Sequence, residues 1–356
     1  NDDEILAVDG RLFSLNKASQ LEEFCGANGL RFATDFAPAD TIWENRPARP
    51  MSKAFVHDIK YAGETAESKI ERVLEQVENM GADAIFMPAL DEIAWTLNIR
   101  GADVECNPLV VSYLYLSQDD KVLFVDAEKI DAEVAAYLDG IGVSVVAYDE
   151  VQDYLKKKVK PSTNVLIDPN QVSDTLGRAL ECYKVYAKSP VAPLKAIKNE
   201  VQIAGTRNAM ERDGAALVRL WKWIEENAGT GKITEVDVAN KAIECRSVSE
   251  LYRGESFGMI AGYKEHGAIV HYSAKPETAS ALKAEGLLLV DTGAQYLDGT
   301  TDITRTMSLG NPTESERHDY TLVLKGHLAL GRAKFPVGTR GSQLDALARI
   351  YQWNEM

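Results

Sequence analysis

The sequence predicts an α/β region followed by an α+β region, and three observations support this prediction. Short apolar runs alternate with segments of helical periodicity up to Pro190, which is typical of a sheet covered by helices. The segment Pro190-Val191-Ala192-Pro193 then interrupts the alternation and marks a boundary. Beyond it, long helical segments precede short strands, which is the order expected in an α+β domain.

The α/β region contains the more regular elements. A helix is predicted over residues 64–80, because Ile70, Val73 and Val77 recur at helical spacing and Gly81 follows. The other elements predicted in this region are strands at 84–87, 109–116, 121–125, 143–147 and 165–167, and helices at 132–138 and 173–182.

The opening of the chain is similar to a later segment. When residues 6–14 are aligned with residues 165–173, Asp9 matches Asp168 and Ser14 matches Ser173 at a constant offset of 159. A helical pattern follows each segment. We interpret this match as an internal duplication. The chain would then begin inside a first α/β copy, and Asp9 and Asp168 would occupy equivalent places.

The α+β region is predicted from residue 198 onward. One or two helices are expected over 198–227, and Thr234 is expected to cap the next helix with Asp237 at the third helical position. Short strands are predicted at 268–270, 287–290 and 303–307.

Composition excludes several classes of function. Lys plus Arg total 39 against 54 for Asp plus Glu, a net charge of −15, which disfavours nucleic acid and anionic membranes as partners. No apolar run reaches the length that spans a bilayer. Four cysteines without a Cys-x-x-Cys pair suit reduced thiols in a cytoplasmic protein.

Two aspartates carry the chemistry of the second region. Asp291 and Asp302 flank one turn, and a strand-end carboxylate is costly unless it is paired, protonated or bound to a cation. If the chain reverses at Tyr296-Leu297, the two lie directly opposite each other with Cβ atoms about 4.5–5.5 Å apart. Metal ions, about 3.5–4 Å apart in dinuclear hydrolases, would remove the repulsion between them.

A second register competes with the first. A reversal at Asp298-Gly299, the more favoured hairpin dipeptide, would place Asp302 opposite Gln295 and leave Asp291 roughly 13 Å away. Turn chemistry favours this second register, whereas metal chemistry favours the first. We predict the first register, with the two aspartates directly opposed.

These residues resemble a known family. The runs His271-Tyr, Asp291-Thr-Gly-Ala-Gln-Tyr and Gly-Thr-Thr-Asp302-Ile-Thr-Arg-Thr are similar to aminopeptidase P (Xaa-Pro aminopeptidase) of the three-domain type, in the creatinase/methionine-aminopeptidase "pita-bread" superfamily. The resemblance continues upstream through Leu90-Asp-Glu-Ile-Ala-Trp and Asn98-Ile-Arg-Gly, and covers essentially the whole chain.

The resemblance implies a fold and a domain division. Two α/β domains of the creatinase N-terminal type, the first incomplete, are expected to precede an incomplete pita-bread metallopeptidase domain. The expected boundaries are 1–62 for the remnant of the first domain, 63–192 for the second, and 193–356 for the catalytic part.

The resemblance also implies an activity. The family uses two divalent metal ions, most often Mn²⁺, with cobalt or zinc as alternatives, to remove the N-terminal residue from peptides with proline in second position. Asp291 is implied to chelate one ion and Asp302 to bridge both, while His271 contacts the substrate and stabilises the developing oxyanion. Arg100 is a weaker substrate-binding candidate, since a surface-loop arginine explains it equally well. A homodimer is expected for the intact protein.

The sequence departs from the family pattern in one respect. A ligand-bearing Gly-His-Gly-rich segment should follow the helix predicted at 343–349, but the sequence ends at Met356 before such a segment. We therefore expect a chain truncated at both ends, lacking three of the family's five metal ligands and inactive alone. The alternatives are a prolidase-type dipeptidase and a non-catalytic peptide-binding member of the superfamily.

Overall fold

The computed structural model describes residues 4–355; Asn1, Asp2 and Asp3, with Met356, lie outside the described residues. The chain divides into two compact units, Asn1–Ala209 with Gln295–Gly299, and Met210–Ala294 with Thr300–Met356. Among residues 4–355, none of the helices combines the length and apolar character needed to cross a membrane. The domain boundaries predicted from the sequence stay predictions.

The first unit contains most of the strands. Its strands are β1 (Ile5–Ala7), β2 (Arg31–Ala33), β3 (Phe55–Val56), β4 (Ala84–Met87), β5 (Ile99–Arg100), β6 (Tyr113–Ser117), β7 (Lys121–Phe124), β8 (Ser144–Val146), β9 (Asn164–Ile167) and β10 (Tyr183–Tyr186). Its helices are α1 (Leu15–Ala27), α2 (Ala39–Ile42), α3 (Ile59–Ala62), α4 (Ala66–Asn79), α5 (Leu90–Thr96), α6 (Ala132–Gly140), α7 (Val151–Lys157), α8 (Asp174–Ala179), α9 (Val191–Ala196) and the start of α10 (Glu200–Asn227).

A six-stranded mixed sheet forms the centre of this unit. Its strand order is β10-β9-β4-β6-β7-β8, and β4 pairs parallel with β9 and antiparallel with β6. All four residues of β4 are buried, because apolar clusters cover both faces of the sheet. A continuous apolar run is the sequence pattern of such a doubly covered strand, and the strand predicted at 84–87 is confirmed.

Helix α4 shows how local sequence sets an element. Thr65 caps the helix by accepting a hydrogen bond from the Ser68 amide. The apolar stripe of the helix, which includes Ile70 and Val73, is buried. The helix ends before Gly81, whose φ of +80° suits glycine. The helix predicted at 64–80 is confirmed.

The duplication predicted at offset 159 is visible in the hydrogen bonds. Ser14 and Ser173 pair with each other, each caps its own helix, α1 or α8, and β1 and β9 are each paired in parallel with the strand after that helix. Asp9 and Asp168 each accept a hydrogen bond from the backbone amide two residues later. The predicted equivalence of Asp9 and Asp168 is confirmed.

The second unit combines long helices with short strands. Its elements are the rest of α10, α11 (Glu235–Ser247), β11 (Tyr252–Glu255), β12 (Ile260–Tyr263), β13 (Leu287–Thr292), β16 (Ile303–Ser308), α12 (Glu314–Arg332) and α13 (Gly341–Trp353). Strands β14 (Ala294–Tyr296) and β15 (Gly299–Thr300) each have residues in both units. The strands predicted at 287–290 and 303–307 are confirmed, and so is the Thr234–Asp237 capping box of α11.

One predicted strand is wrong. Residues 268–270 belong to the end of a 3₁₀ helix, Lys264–Ala268, and the turn after it. The strand that pairs with β13 is β12, which lies further upstream. The chain folds back immediately after β12, so closely that a Cβ on Gly262 would lie 2.8 Å from the Gly267 Cα. This reversal prevents the apolar run at 268–270 from continuing the sheet.

Candidate functional site

Asp291 and Asp302 lie on one hairpin, but they are not directly opposed. Strands β13 and β16 pair antiparallel with Asp291 opposite Thr304 and Thr292 opposite Ile303. The Thr301 amide donates to the Ala294 carbonyl at 2.9 Å, so the same register continues toward the turn. The predicted register is therefore wrong by two residues, and its competitor is wrong by two in the other direction.

The position of the turn explains the error. The chain reverses at Leu297-Asp298, one residue after the first predicted turn and one before the second. Gly299 does not adopt the positive φ that an Asp-Gly hairpin turn requires. Instead it lies against α10, where a Cβ would be 3.1 Å from both Ala209 Cβ and Thr206 Cα. Gly299 therefore serves close packing rather than the turn.

The two carboxylates nevertheless share one face of the hairpin. Asp302 directly precedes β16 and is two residues from Thr304, the partner of Asp291. Because the register continues to Thr301, side chains two apart in this extended segment point the same way. Such diagonal neighbours are about 7–8 Å apart, somewhat less between Cβ atoms. Asp302 is exposed and Asp291 half-buried, and Thr304 Oγ1 donates to Asp291 Oδ1 at 2.8 Å.

The donor set fits part of a metal site. Two accessible carboxylates on one face supply the oxygen ligands that hard divalent cations such as Mn²⁺ prefer. Within residues 4–355, however, no group of three or more His, Cys, Asp or Glu side chains could hold a metal ion. Asp291 and Asp302 alone therefore do not make up a complete site, and their role as metal ligands stays a prediction, as does the substrate contact of His271.

His271 lies on a loop held by a buried glutamate. His271 is exposed, in the turn that follows the 3₁₀ helix Lys264–Ala268. The next residue, Tyr272, is buried and donates its hydroxyl to Glu235 Oε2 at 2.7 Å. Burial and this hydrogen bond raise the pKa of Tyr272 to about 12. The ring of His266 stacks on Tyr272 at 4.5 Å.

Glu235 was not singled out by the sequence, although it organises this loop. Its side chain is inaccessible to solvent and also accepts hydrogen bonds from the backbone amides of Tyr263 and Ser280. His266 Nδ1 lies 2.9 Å from Oε1, and it carries the proton because a carboxylate can only accept. Glu235 occupies the first turn of α11, where an acidic residue is common because it interacts favourably with the helix dipole. Nothing local indicated its contacts.

A second buried network, also missed, lies at the other end of α11. Arg246 is 1% exposed and forms an ion pair with Asp213, whose side chain is 0% exposed. A second carboxylate, Glu255, lies 2.6 Å from Arg246 Nη1. Burial raises the pKa of Glu255, although the guanidinium works against that change. A sequence signal was lacking because the partners are 33 and 9 residues away from Arg246.

Arg100, the weaker candidate, belongs to the first unit. Its Nη1 atom donates to the backbone carbonyls of Ala94 and Ile99. Burial lowers the pKa of this guanidinium to about 10. These contacts tie Arg100 to its own segment, and its role in binding substrate stays a prediction.

Two family models match the chain. Residues 45–202 match the creatinase/prolidase N-terminal domain, and residues 204–356 match metallopeptidase family M24. Aminopeptidase P2 of Arabidopsis thaliana is 36% identical over 98% of this chain and 54% of the relative. A probable Xaa-Pro aminopeptidase P of Aspergillus niger is 38% identical over 99% of this chain and 59% of the relative. The chain thus spans little more than half the length of these relatives.

Solved structures show the same similarity. An X-prolyl aminopeptidase of Caenorhabditis elegans, described as a cytosolic enzyme with a di-nuclear active site, superposes with a TM-score of 0.90 and 34% identity, covering 99% of this chain and 58% of that one. A Xaa-Pro dipeptidase of Bacillus anthracis gives a TM-score of 0.61 at 19% identity, covering 82% of this chain and 78% of that one. The second likeness shows the fold alone.

Proposed function

Because the chain belongs to metallopeptidase family M24 and carries a creatinase/prolidase N-terminal domain ahead of that region, we propose that the protein is a metal-dependent aminopeptidase that removes the N-terminal residue from peptides with proline in second position. The observation that carries this proposal is the pair Asp291 and Asp302 on one accessible face of the β13–β16 hairpin. The names of the relatives supply the substrate class.

The site residues take the following roles in this proposal. Asp291 and Asp302 would hold the two divalent ions, with Mn²⁺ as the preferred metal, and Thr304 orients the Asp291 carboxylate through its hydroxyl. When bound, such ions would supply Lewis-acid activation of the scissile carbonyl and would lower the pKa of water. His271 is exposed and donates a hydrogen bond to the substrate carbonyl oxygen, which carries negative charge in the transition state.

The proposal extends to the 356-residue chain assayed alone, which we expect to bind Mn²⁺ weakly and to lack turnover. Two carboxylates do not surround two ions, and residues 4–355 offer no cluster of three ligands. The whole product of the gene is proposed to act in the cytoplasm as a homodimer. Neither nucleic acid nor a membrane is proposed as a partner.

The first test compares charge-neutral variants of matched carboxylates. In the whole gene product, Asp302→Asn should reduce cleavage of a peptide with proline in second position by at least about a hundredfold, because loss of residues that merely support metal ligands already costs 10–100-fold. It should also weaken Mn²⁺ binding, measured from the electron paramagnetic resonance signal of free Mn²⁺. Asp319→Asn, at an exposed position on α12, is the control for net charge and should change neither quantity.

Three outcomes would contradict the proposal. Equal changes in cleavage and in Mn²⁺ binding for the two variants would show that Asp302 is not a metal ligand. Cleavage confined to dipeptides would favour a prolidase-type dipeptidase. Turnover by the 356-residue chain alone that Asp302→Asn abolishes would show that two carboxylates suffice, or that further ligands come from another chain.

A further inference from the structure

The buried face of the hairpin carries an ionic network directly behind the two carboxylates. Resting on the proposed metal site, we propose that Arg246 is a positioning residue that sets the spacing of Asp291 and Asp302 through the backbone on which they stand. Arg246 itself does not reach the accessible face.

Arg246 holds the end of β13. Its Nη1 atom donates to Thr292 Oγ1 at 2.7 Å and to the Gly293 carbonyl at 3.2 Å. Its Nε and Nη2 atoms donate to the two carboxylate oxygens of Asp213 at 2.7 and 3.1 Å. One planar guanidinium therefore joins helix α10, which carries Asp213, to the strand residue that follows Asp291.

The same ion pair holds the segment that enters β16. Thr301 Oγ1 donates to Asp213 Oδ2 at 2.7 Å and accepts from the Ala294 amide at 3.0 Å. Ser256 completes the link, because its hydroxyl donates to the Thr301 carbonyl at 2.8 Å. Thr301 is 1% exposed and directly precedes Asp302.

Alternation along a strand relates this network to the carboxylates. Thr292 and Thr301 each lie one residue from an aspartate, so their side chains point to the opposite face. There is little slack between the two backbones, since a Cβ on Gly293 would lie 2.0 Å from the Thr301 carbonyl oxygen. A shift in the network therefore moves both carboxylates.

Stability alone does not account for an arginine here. Apolar residues of similar volume often replace a buried ion pair at no loss of stability. An arginine instead presents several donors in a rigid fork, whereas a lysine is a point charge on a flexible stem. Arg246→Lys should therefore keep Asp213 paired while losing the simultaneous hold on Thr292 and Gly293.

The experiment measures metal affinity and local backbone exchange in the whole gene product. Arg246→Lys should raise the Mn²⁺ dissociation constant about tenfold, the lower end of the range for residues that support metal ligands. In metal-free protein it should speed amide hydrogen exchange within residues 290–304. Lys129→Met breaks a buried ion pair in the first unit, where the side chains of Lys129 and Asp103 are both 0% exposed. This control should change neither quantity although it lowers the melting temperature.

A second variant tests the proposal if Arg246→Lys fails to fold. Thr301→Val removes the hydroxyl that joins Asp213 to Ala294 and leaves the buried charges intact, so it should give a smaller change in the same direction. The proposal is overturned if Arg246→Lys and Thr301→Val leave exchange and affinity unchanged, or if Lys129→Met reproduces their effects. An Asp302→Asn variant with unaltered Mn²⁺ affinity would instead overturn the metal site itself. The metal-free exchange measurement would then still decide whether Arg246 holds the strands.

Discussion

Each unit of the molecule contains a buried ion pair, and the two pairs differ in what they hold. Lys129–Asp103 in the first unit ties loops together, because Asp103 also accepts from the Ser52 amide, the Ser52 hydroxyl and the Val111 amide. Burial raises the pKa of Asp103, but the hydrogen bonds from Lys129, Val111 and Ser52 together hold it below its usual value. The outer contacts of this pair are therefore two backbone amides and one serine hydroxyl.

The Arg246–Asp213 ion pair in the second unit contacts different groups. Its outer contacts reach Thr292 and Thr301, whose neighbours in the chain are Asp291 and Asp302. The comparison teaches that burial and charge do not by themselves identify a functional network. What distinguishes the second pair is the accessible carboxylates on the other side of the strands it holds.

The largest expected effect comes from removing each buried cation. Arg246→Met leaves Asp213 and Glu255 without their guanidinium and should cost about 5 kcal/mol of unfolding free energy, the upper part of the range for a broken buried pair. Lys129→Met should cost about 3 kcal/mol, because Asp103 keeps three hydrogen-bond donors. Urea denaturation measures the unfolding free energy of both variants. A larger loss for Lys129→Met than for Arg246→Met would contradict the difference inferred between the two ion pairs.

Glu235 extends the comparison to a third buried charge. It accepts hydrogen bonds behind exposed His271, much as Arg246 donates them behind Asp291 and Asp302. Glu235→Gln should cost about 3 kcal/mol, because hydrogen bonds to a charged group contribute about 1.5–3 kcal/mol each and an amide turns one acceptor into a donor. Tyr272→Phe, which removes one of these bonds and leaves the other donors in place, should cost about 1.5 kcal/mol. Equal losses in urea denaturation would show that the carboxylate is not the organising group.

The last prediction concerns the stability of the first unit in acid. His57 Nδ1 is buried without a hydrogen-bond partner among residues 4–355, and burial, with Arg100 and Lys69 nearby, lowers the pKa of His57 to about 3. In the unfolded chain the pKa is about 6.5, so between these values only the unfolded state binds the proton. Stability should therefore fall as pH falls below about 6.5, by about 2 kcal/mol at pH 5.

His57→Gln is the matched control for this acid effect. It should flatten the dependence of unfolding free energy on pH between 6.5 and 5, because glutamine does not titrate in that range. Amide exchange in β4 should report the change, whereas exchange in β13 should not. An unchanged pH profile in the variant would assign the acid sensitivity to another group.

The sequence predicted elements that depend on local pattern. Strand β4 followed from its apolar run, helix α4 from its 3.6-residue period, and the Asp291–Asp302 hairpin from its motif. The register of that hairpin was missed, because packing of Gly299 against α10, a contact between distant parts of the chain, decides where the turn lies. Turn propensity reports only the local preference. The Arg246 and Glu235 networks were missed for the same reason.

The junction between Ser14 and Ser173 has a consequence for assembly. The Leu15 amide donates to the Val172 carbonyl and the Asp174 amide donates to the Phe13 carbonyl, so each bond maps onto the other at the offset of 159. Contacts of this reciprocal kind are what two identical subunits make across a two-fold axis. Here both halves belong to one polypeptide, so their association is unimolecular and dilution cannot dissociate them.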